Sequence, residues 1–287
     1  MVFFICIEIK KQAIKSYQYS TLYKRQDKKR QETKVKKIKL LEEYPYLYET
    51  HLHTSQSSAC AHNTGAEMAK ACKEAGYTGI IVTDHNWGGN TAVYRMKPWK
   101  EWVNEFVKGY EEAKGTGDKI GLDVFFGYEA GFRGTEFLIY GVDKDFMLTH
   151  PELRQASVEE QYRLVKQAGG MVIHAHPFRE EFYIPKIRLC PDYVDGVEGI
   201  NATHSNKQSI SHYNPAFDQR AIAYAKENSL PMTAGSDIHM TSLLCGGVAF
   251  KRKLADIHDF IKAVSEGEDY LLTNGDEWFK KNGELYL

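Results

Sequence analysis

From about residue 40 onward the chain alternates between two apolar patterns. Short apolar runs at 46–53, 79–83, 123–131, 136–142, 170–174, 194–200 and 231–234 predict strands. Between and after them, at 64–75, 99–113, 157–168, 215–227 and 254–265, apolar residues recur every three or four positions, which predicts helices. Two helices have legible ends. Thr64 is followed three residues later by Glu67, and Ser157 by Glu160, so each start can satisfy two orphan N–H groups reciprocally. Gly76 and Gly169 stand where a helix needs a left-handed residue to stop. Strands alternating with helices imply parallel strands joined by right-handed crossovers, hence an α/β layer or barrel. No internal repeat or low-complexity linker divides residues 40–287, so a single domain, 39–287, is expected.

Charge alters this picture at one end. Residues 1–39 hold 12 Lys/Arg and three acids, a balance of +9, which leaves −10 on the rest of a chain whose net charge is −1. The bland reading is a basic, disordered extension over residues 1–38, ahead of an acidic body. The sharper reading is a tether for nucleic acid or an anionic surface. Translation starting near Val35 would remove the segment altogether. No run approaches the roughly 20 apolar residues of a membrane span. Five scattered cysteines (Cys6, Cys60, Cys72, Cys190, Cys245) form no CxxC pair, which fits a reducing cytoplasm and buried, unpaired thiols.

The candidate chemistry lies at the strand ends. His51-x-His53 closes the first predicted strand, and alternation places both imidazoles on one face. Asp84-His85 follows the second, Glu129 lies near the end of the third, His174-x-His176-Pro177 ends another, and Asp237-x-His239 follows the last. In parallel α/β folds the carboxyl ends of the strands meet on one face. Five strand ends thus deliver imidazole and carboxylate to one place, a donor mixture suited to Zn, Fe or Mn and not to calcium. One such pair is weak evidence, because histidines two apart often just pack. The ordered set is strong evidence.

In order and rough spacing, His51-x-His53, Thr83-Asp84-His85, Glu129, His176-Pro177 and Ser236-Asp237-x-His239 resemble the motifs of the PHP (polymerase and histidinol phosphatase) family across about residues 46–250. The resemblance implies a distorted, TIM-like (β/α)7 barrel with metals at the carboxyl ends of its strands, and phosphoesterase activity. Carried over by position, it implies that His51 and His53 bind a first metal with Asp237, that Glu129 bridges, and that His85 and His176 hold a second. His239 becomes a further ligand or an acid/base aid, and His174 a neighbour on the same strand face. Two departures bear on a third metal. The family often has Asp or His about seven residues after the first histidine, where this chain has Ser58, with His62 nearby as a substitute. A histidine often found soon after the bridging glutamate is absent from Phe137-Leu-Ile-Tyr140. Two divalent ions (Mn, Zn or Fe) are therefore expected, and no third.

In this reading Asp237 orients the attacking water and an arginine neutralises developing charge. Arg179, three residues past His176, is the best placed, with Arg133 second and more simply an exposed charge. Glu198 and Asn201 could line the pocket, Trp87-Gly-Gly-Asn90 could form a pocket wall, and His150, His204, His212 and His258 are expected to have no catalytic role. The resulting expectation is a cytoplasmic, metal-dependent phosphoric ester hydrolase acting on a small phosphorylated substrate, with no membrane partner. A nuclease acting on DNA or RNA ends ranks second, because the acidic body offers no evident basic groove. A non-catalytic metal-binding regulatory module ranks third, because the ligand set is intact.

Overall fold

The computed structural model describes residues 36–243 and 245–287. They divide into two compact units, one running up to Glu43 together with Leu287, the other Tyr44–Tyr286. The expected basic extension falls almost wholly on residues 1–35, outside the described residues; its last three, 36–38, begin a helical stretch that ends at 43. No helix among the described residues is long and apolar enough to cross a membrane.

The larger unit is built on one curled sheet. In chain order the elements are β1 (Tyr46–Leu52), α1 (Gly65–Glu74), β2 (Gly79–Val82), α2 (Trp99–Phe106), α3 (Lys108–Ile120), β3 (Asp123–Phe132), β4 (Thr135–Tyr140), α4 (Lys144–Thr149), α5 (Val158–Gln167), β5 (Met171–Ala175), β6 (Gly196–Asn201), α6 (Ala202–Ser205), α7 (Pro215–Glu227), β7 (Met232–Gly235), β8 (Gly247–Phe250), α8 (Ile257–Ser265), β9 (Tyr270–Thr273) and β10 (Trp278–Lys280). The spatial order is β10-β9-β8-β1-β2-β3-β4-β5-β6-β7. The far edge returns toward β1. Thr50 Oγ1 donates to the Ala234 carbonyl (2.8 Å), and just past the strands His53 N donates to Ile238 O (3.0 Å). Both expected capping boxes, at Thr64 and Ser157, are formed.

Three expectations need correcting. The sheet is mixed: β4 pairs antiparallel with both β3 and β5, and β8, β9 and β10 add antiparallel pairs beyond β1. The β3–β4 hairpin turns on Arg133 and Gly134, with φ of 52° and 86°, the doubly left-handed geometry that suits a tight hairpin. Strands β8–β10, of three or four residues, were not expected, since runs that short carry too little alternation to read. The helix expected at 99–113 is two helices meeting at Val107, and the second runs on to Ile120 through three glycines. Two of them serve close approach: a Cβ on Gly109 would run into Thr54 Oγ1, and one on Gly117 would lie 2.5 Å from Val124 Cγ2.

The core follows from the sheet. Tyr48, Ile81, Leu138, Tyr140, Ile173 and Val197 belong to one buried cluster, and the Tyr140 hydroxyl is satisfied by the Thr50 carbonyl at 2.9 Å. A second cluster gathers Trp102, Phe106, Tyr128 and Phe137 around α2 and β3. Helices α1 and α3 approach so closely that a Cβ on Gly65 would collide with the Gly109 carbonyl oxygen. Gly65→Ala is predicted to destabilise the fold by about 1–3 kcal/mol. Urea unfolding should show a lower midpoint at unchanged slope, and an unchanged midpoint would mean that the two helices part without cost.

Candidate metal centre

Each side chain of the site is placed by a strand end. His51 and His53 come from the end of β1, both with no exposure, separated by the two-residue alternation that puts them on one face. Past β2 and within β3 the chains stay paired: Asn86 N donates to Glu129 O (2.9 Å) and Glu129 N to Asp84 O (3.0 Å), which fixes His85 against Glu129. Glu136 enters from β4, His176 from just past β5, and Asp237 and His239 from just past β7. His176 (φ 26°) and Asp237 (φ 54°) have left-handed backbones, a conformation costing roughly 1–3 kcal/mol for residues with a Cβ. Buried carboxylates hold both turns. Glu198 Oε2 accepts from His176 N (3.0 Å), and Glu49 Oε1 accepts from Ser236 N and His51 N (each 2.9 Å).

Glu129 is the hub. Its carboxylate lies 2.7 Å from His85 Nδ1, 3.0 Å from His176 Nε2, 3.4 Å from His51 Nε2 and 3.6 Å from His53 Nε2. Asp237 Oδ1 lies 3.1 Å from His53 Nε2 and 3.4 Å from His51 Nε2. Behind the ring, Glu198 Oε1 sits 2.9 Å from His51 Nδ1, orienting that imidazole so that Nε2 faces inward. Four overlapping triads could each hold a cation: His51–His53–Glu129, His51–His176–Asp237, His53–His85–His239 and His85–Glu129–Glu136.

The donors fit a metal for a further reason. His51 Nε2, His85 Nδ1 and Glu129 Oε2 are buried without a hydrogen-bond partner among the described residues, although the last two are 2.7 Å apart. Ring nitrogens and carboxylate oxygens that converge on one buried space, several of them without a hydrogen-bond partner, are groups that a bound cation would satisfy. The electrostatics agree. Burial works against the Glu129 and Asp237 anions, but His85 and His51 hold Glu129 well below the carboxylate range, and His51 and Arg179 do the same for Asp237. Burial would depress His51, yet Asp237, Glu198 and Glu129 raise it well above its ordinary value. His53 is held well below its ordinary value by burial, His85 and His239.

The PHP domain family model matches residues 49–272, which contain every one of these side chains. The chain belongs to the PHP domain family. Among solved structures it is similar to a two-domain protein from Bacteroides vulgatus containing a predicted PHP-like metal-dependent phosphoesterase, at 15% identity and a TM-score of 0.60. That match covers 82% of this chain, which spans 66% of the other protein's length. An amidohydrolase from Chromobacterium violaceum, with bound sulfate and no metal, matches at 15% identity and a TM-score of 0.47, over 67% of this chain and 87% of that one. No curated protein sequence matches.

Within this PHP fold, the seven expected ligands His51, His53, His85, Glu129, His176, Asp237 and His239 all lie around one buried space, and Arg179 joins them through Asp237 Oδ2 at 2.6 Å. His174 does not. It stacks on Phe137 (ring centroids 5.0 Å) because the left-handed turn at His176 ends the strand alternation that would have aligned the two. Arg133 is an exposed turn residue, His62 belongs to none of the four triads, and Ser58 donates to Asp84 Oδ1 (2.7 Å). Trp87 packs among Trp99, Trp102 and Tyr128, while Gly88–Asn90 line the pocket. Two residues near the centre were missed. Glu136, on the same face of β4 as Leu138, reaches within 3.8 Å of His85 and 3.7 Å of His176. Burial and neighbouring Glu129 push its carboxyl up. Burial would raise the Cys60 thiol, but His239 and His85 beside it bring it down to about 7. Glu136 could have been found from the period-two alternation of its strand; nothing in the spacing marked Cys60.

Burial raises Glu49 from its ordinary 4.5 to about 7, against the N–H donors that favour its anion. Between these values the folded chain binds the proton more tightly than the unfolded chain. The group's contribution therefore favours folding at the acid end and is lost as pH rises through 7. Glu49→Gln keeps the acceptor oxygen and removes the titration. In metal-free protein, wild-type stability relative to this variant should fall as pH rises from about 5 to about 8, by at most about 3 kcal/mol. Urea midpoints across that range give the answer, and a gap independent of pH would refute it.

Proposed function

We propose that this PHP chain is a metal-dependent phosphoesterase that hydrolyses a small phosphate ester at a two-metal site. The observation that carries the reading is the buried Glu129 carboxylate within 3.6 Å of four imidazoles. His51, His53 and Asp237 would hold one ion, His85 and His176 the other, with Glu129 between them and Glu136 and His239 at the margins. The pair, when bound, acidifies a water and polarises the phosphoryl group. Mn, Zn and Fe all suit this donor set.

The protein's own groups do the rest. Asp237, an anion between His53 and Arg179, orients the attacking water by accepting its hydrogen bond. Arg179 is 5% exposed and lines the pocket, placed to neutralise charge on the phosphoryl oxygens. His239 shares the pocket and is raised by Cys60 and Asp237 against burial, so it can carry a proton toward the leaving oxygen. The barrel reading counts β1–β7 as the seven strands of a distorted (β/α)7 barrel, with β8–β10 as an appended edge.

The cavity holds about 650 Å³, and Tyr183, Ile210, Met240 and Leu243 give it apolar walls. A small monoester fits that enclosure better than a duplex, and the negative body gives a polynucleotide little electrostatic attraction. A nuclease acting on strand ends is the second reading, and a regulatory metal-binding module the third. Purified chain loaded with Mn, Zn or Fe should release phosphate from p-nitrophenyl phosphate, histidinol phosphate or mononucleotides. Asp237→Asn should lower kcat/KM at least about 100-fold. Cleavage confined to a short oligonucleotide would favour the nuclease, and no turnover despite bound metal would sink the esterase reading.

A further inference from the structure

Arg179 does not reach the site unaided. Its Nε donates to His204 Nε2 at 3.0 Å, and its Nη2 donates to Asp237 Oδ2 at 2.6 Å and to Thr203 Oγ1 at 3.3 Å. Behind it, His204 Nδ1 lies 2.9 Å from Asp218 Oδ1, in the first turn of α7. Arginine has no acceptor, so His204 Nε2 must present a lone pair. The proton of the neutral ring is then on Nδ1, where Asp218 accepts it. The tautomer follows from the neighbours on both sides.

The acceptors are fixed in turn. Thr203 Oγ1 donates to Asn201 Oδ1 (2.6 Å), so its lone pairs are turned to Arg179. Asp218 Oδ1 also takes the Asn201 N–H (3.3 Å), and Asn201 Nδ2 donates to Glu198 Oε2 (3.0 Å), the carboxylate that orients His51. His204 and Asp218 are 1% and 4% exposed. With Nε and Nη2 engaged, Nη1 is the guanidinium nitrogen for which no partner occurs among the described residues. Arg179 itself lines the cavity beside His85, Asp237 and His239.

We propose that Asp218 and His204 are a positioning pair that locks the Arg179 guanidinium by its Nε edge, presenting Nη1 to a phosphoryl oxygen of the bound ester. This rests on the phosphoesterase reading for the identity of the ligand, though not for the locking itself. An arginine on a loop samples many rotamers, and one already fixed loses less entropy per hydrogen bond formed with substrate. His204, expected from the sequence to be a bystander, thereby gains a role through its neighbour.

Two near-isosteric variants separate this from mere packing. Glutamine places its amide oxygen near the position of Nε2, so His204→Gln keeps the acceptor for Arg179. Asparagine reaches only the Nδ1 position, so His204→Asn keeps the bond to Asp218 and loses the lock. The first readout is the Arg179 Nε–H signal in 15N spectra of the metal-loaded protein, assigned with Arg179→Lys. It should exchange slowly in wild type and His204→Gln, and be lost to fast exchange in His204→Asn. The second is steady-state kinetics on a phosphate monoester at matched metal content. His204→Asn should raise KM about tenfold or more, the loss of one charge-assisted bond, with His204→Gln near wild type. An Nε–H equally protected in His204→Asn, or a lost signal with unchanged KM, would overturn the proposal. The expected exchange pattern without turnover of any ester in wild type would leave the lock standing and remove the phosphoesterase reading instead.

Discussion

A buried carboxylate faced by four imidazoles, with several of the converging atoms left without a hydrogen bond, is the constraint around which this molecule is arranged. Glu129 and His85 sit 2.7 Å apart, yet each keeps a buried atom without a hydrogen bond among the described residues. In a low-dielectric interior such a cluster is costly unless a cation fills it. The rest of the sheet has to hold these donors in place against that cost.

It does so with features that look expensive in isolation. His176 and Asp237 accept left-handed backbones, and Glu198 and Glu49, both buried, bond the peptide groups at or beside those turns. Glu49 also takes the His51 N–H, so one carboxylate ties the end of β1 to the exit of β7 where the curled sheet comes back on itself. Asp84 serves the loop after β1, accepting from Thr54 N (2.6 Å) and Ser58 Oγ (2.7 Å), while the Ser58 hydroxyl in turn receives the His85 N–H (3.0 Å). The second layer of the site is thus as polar as the first, and nearly every member bonds a backbone group and not a side chain alone. That fixes where the strands end, and hence where the ligands point.

The site was legible because its residues sit at chain positions with simple rules. Two-residue alternation paired His51 with His53, and the convergence of strand ends gathered His85, Glu129, His176, Asp237 and His239. The same rule failed at His174, since it assumes an extended backbone and His176 is not extended. Glu136 went unnoticed because β4 was read as another parallel strand, when it is the return arm of a hairpin that brings its face over the same space. The helix expected at 99–113 stopped short of Gly115 and Gly117, while at Gly109 and Gly117 the reason for glycine lies in a neighbouring loop and strand.

By itself the sequence determined the alternation of strands and helices, the helix caps, the seven candidate ligands and the family motifs, all of which rest on interactions within a few residues or on donor chemistry carried by the side chain. Only the tertiary structure decided the antiparallel insertion of β4, the three short strands beyond β1 and the chain from Asp218 through His204 to Arg179. Those depend on contacts between residues far apart in the chain, such as the 3.0 Å bond across 25 positions from Arg179 to His204 and the 2.6 Å bond across 58 from Arg179 to Asp237. A local pattern specifies which groups are available. Which of them touch is set by the closure of the sheet, and no short stretch of sequence encodes it.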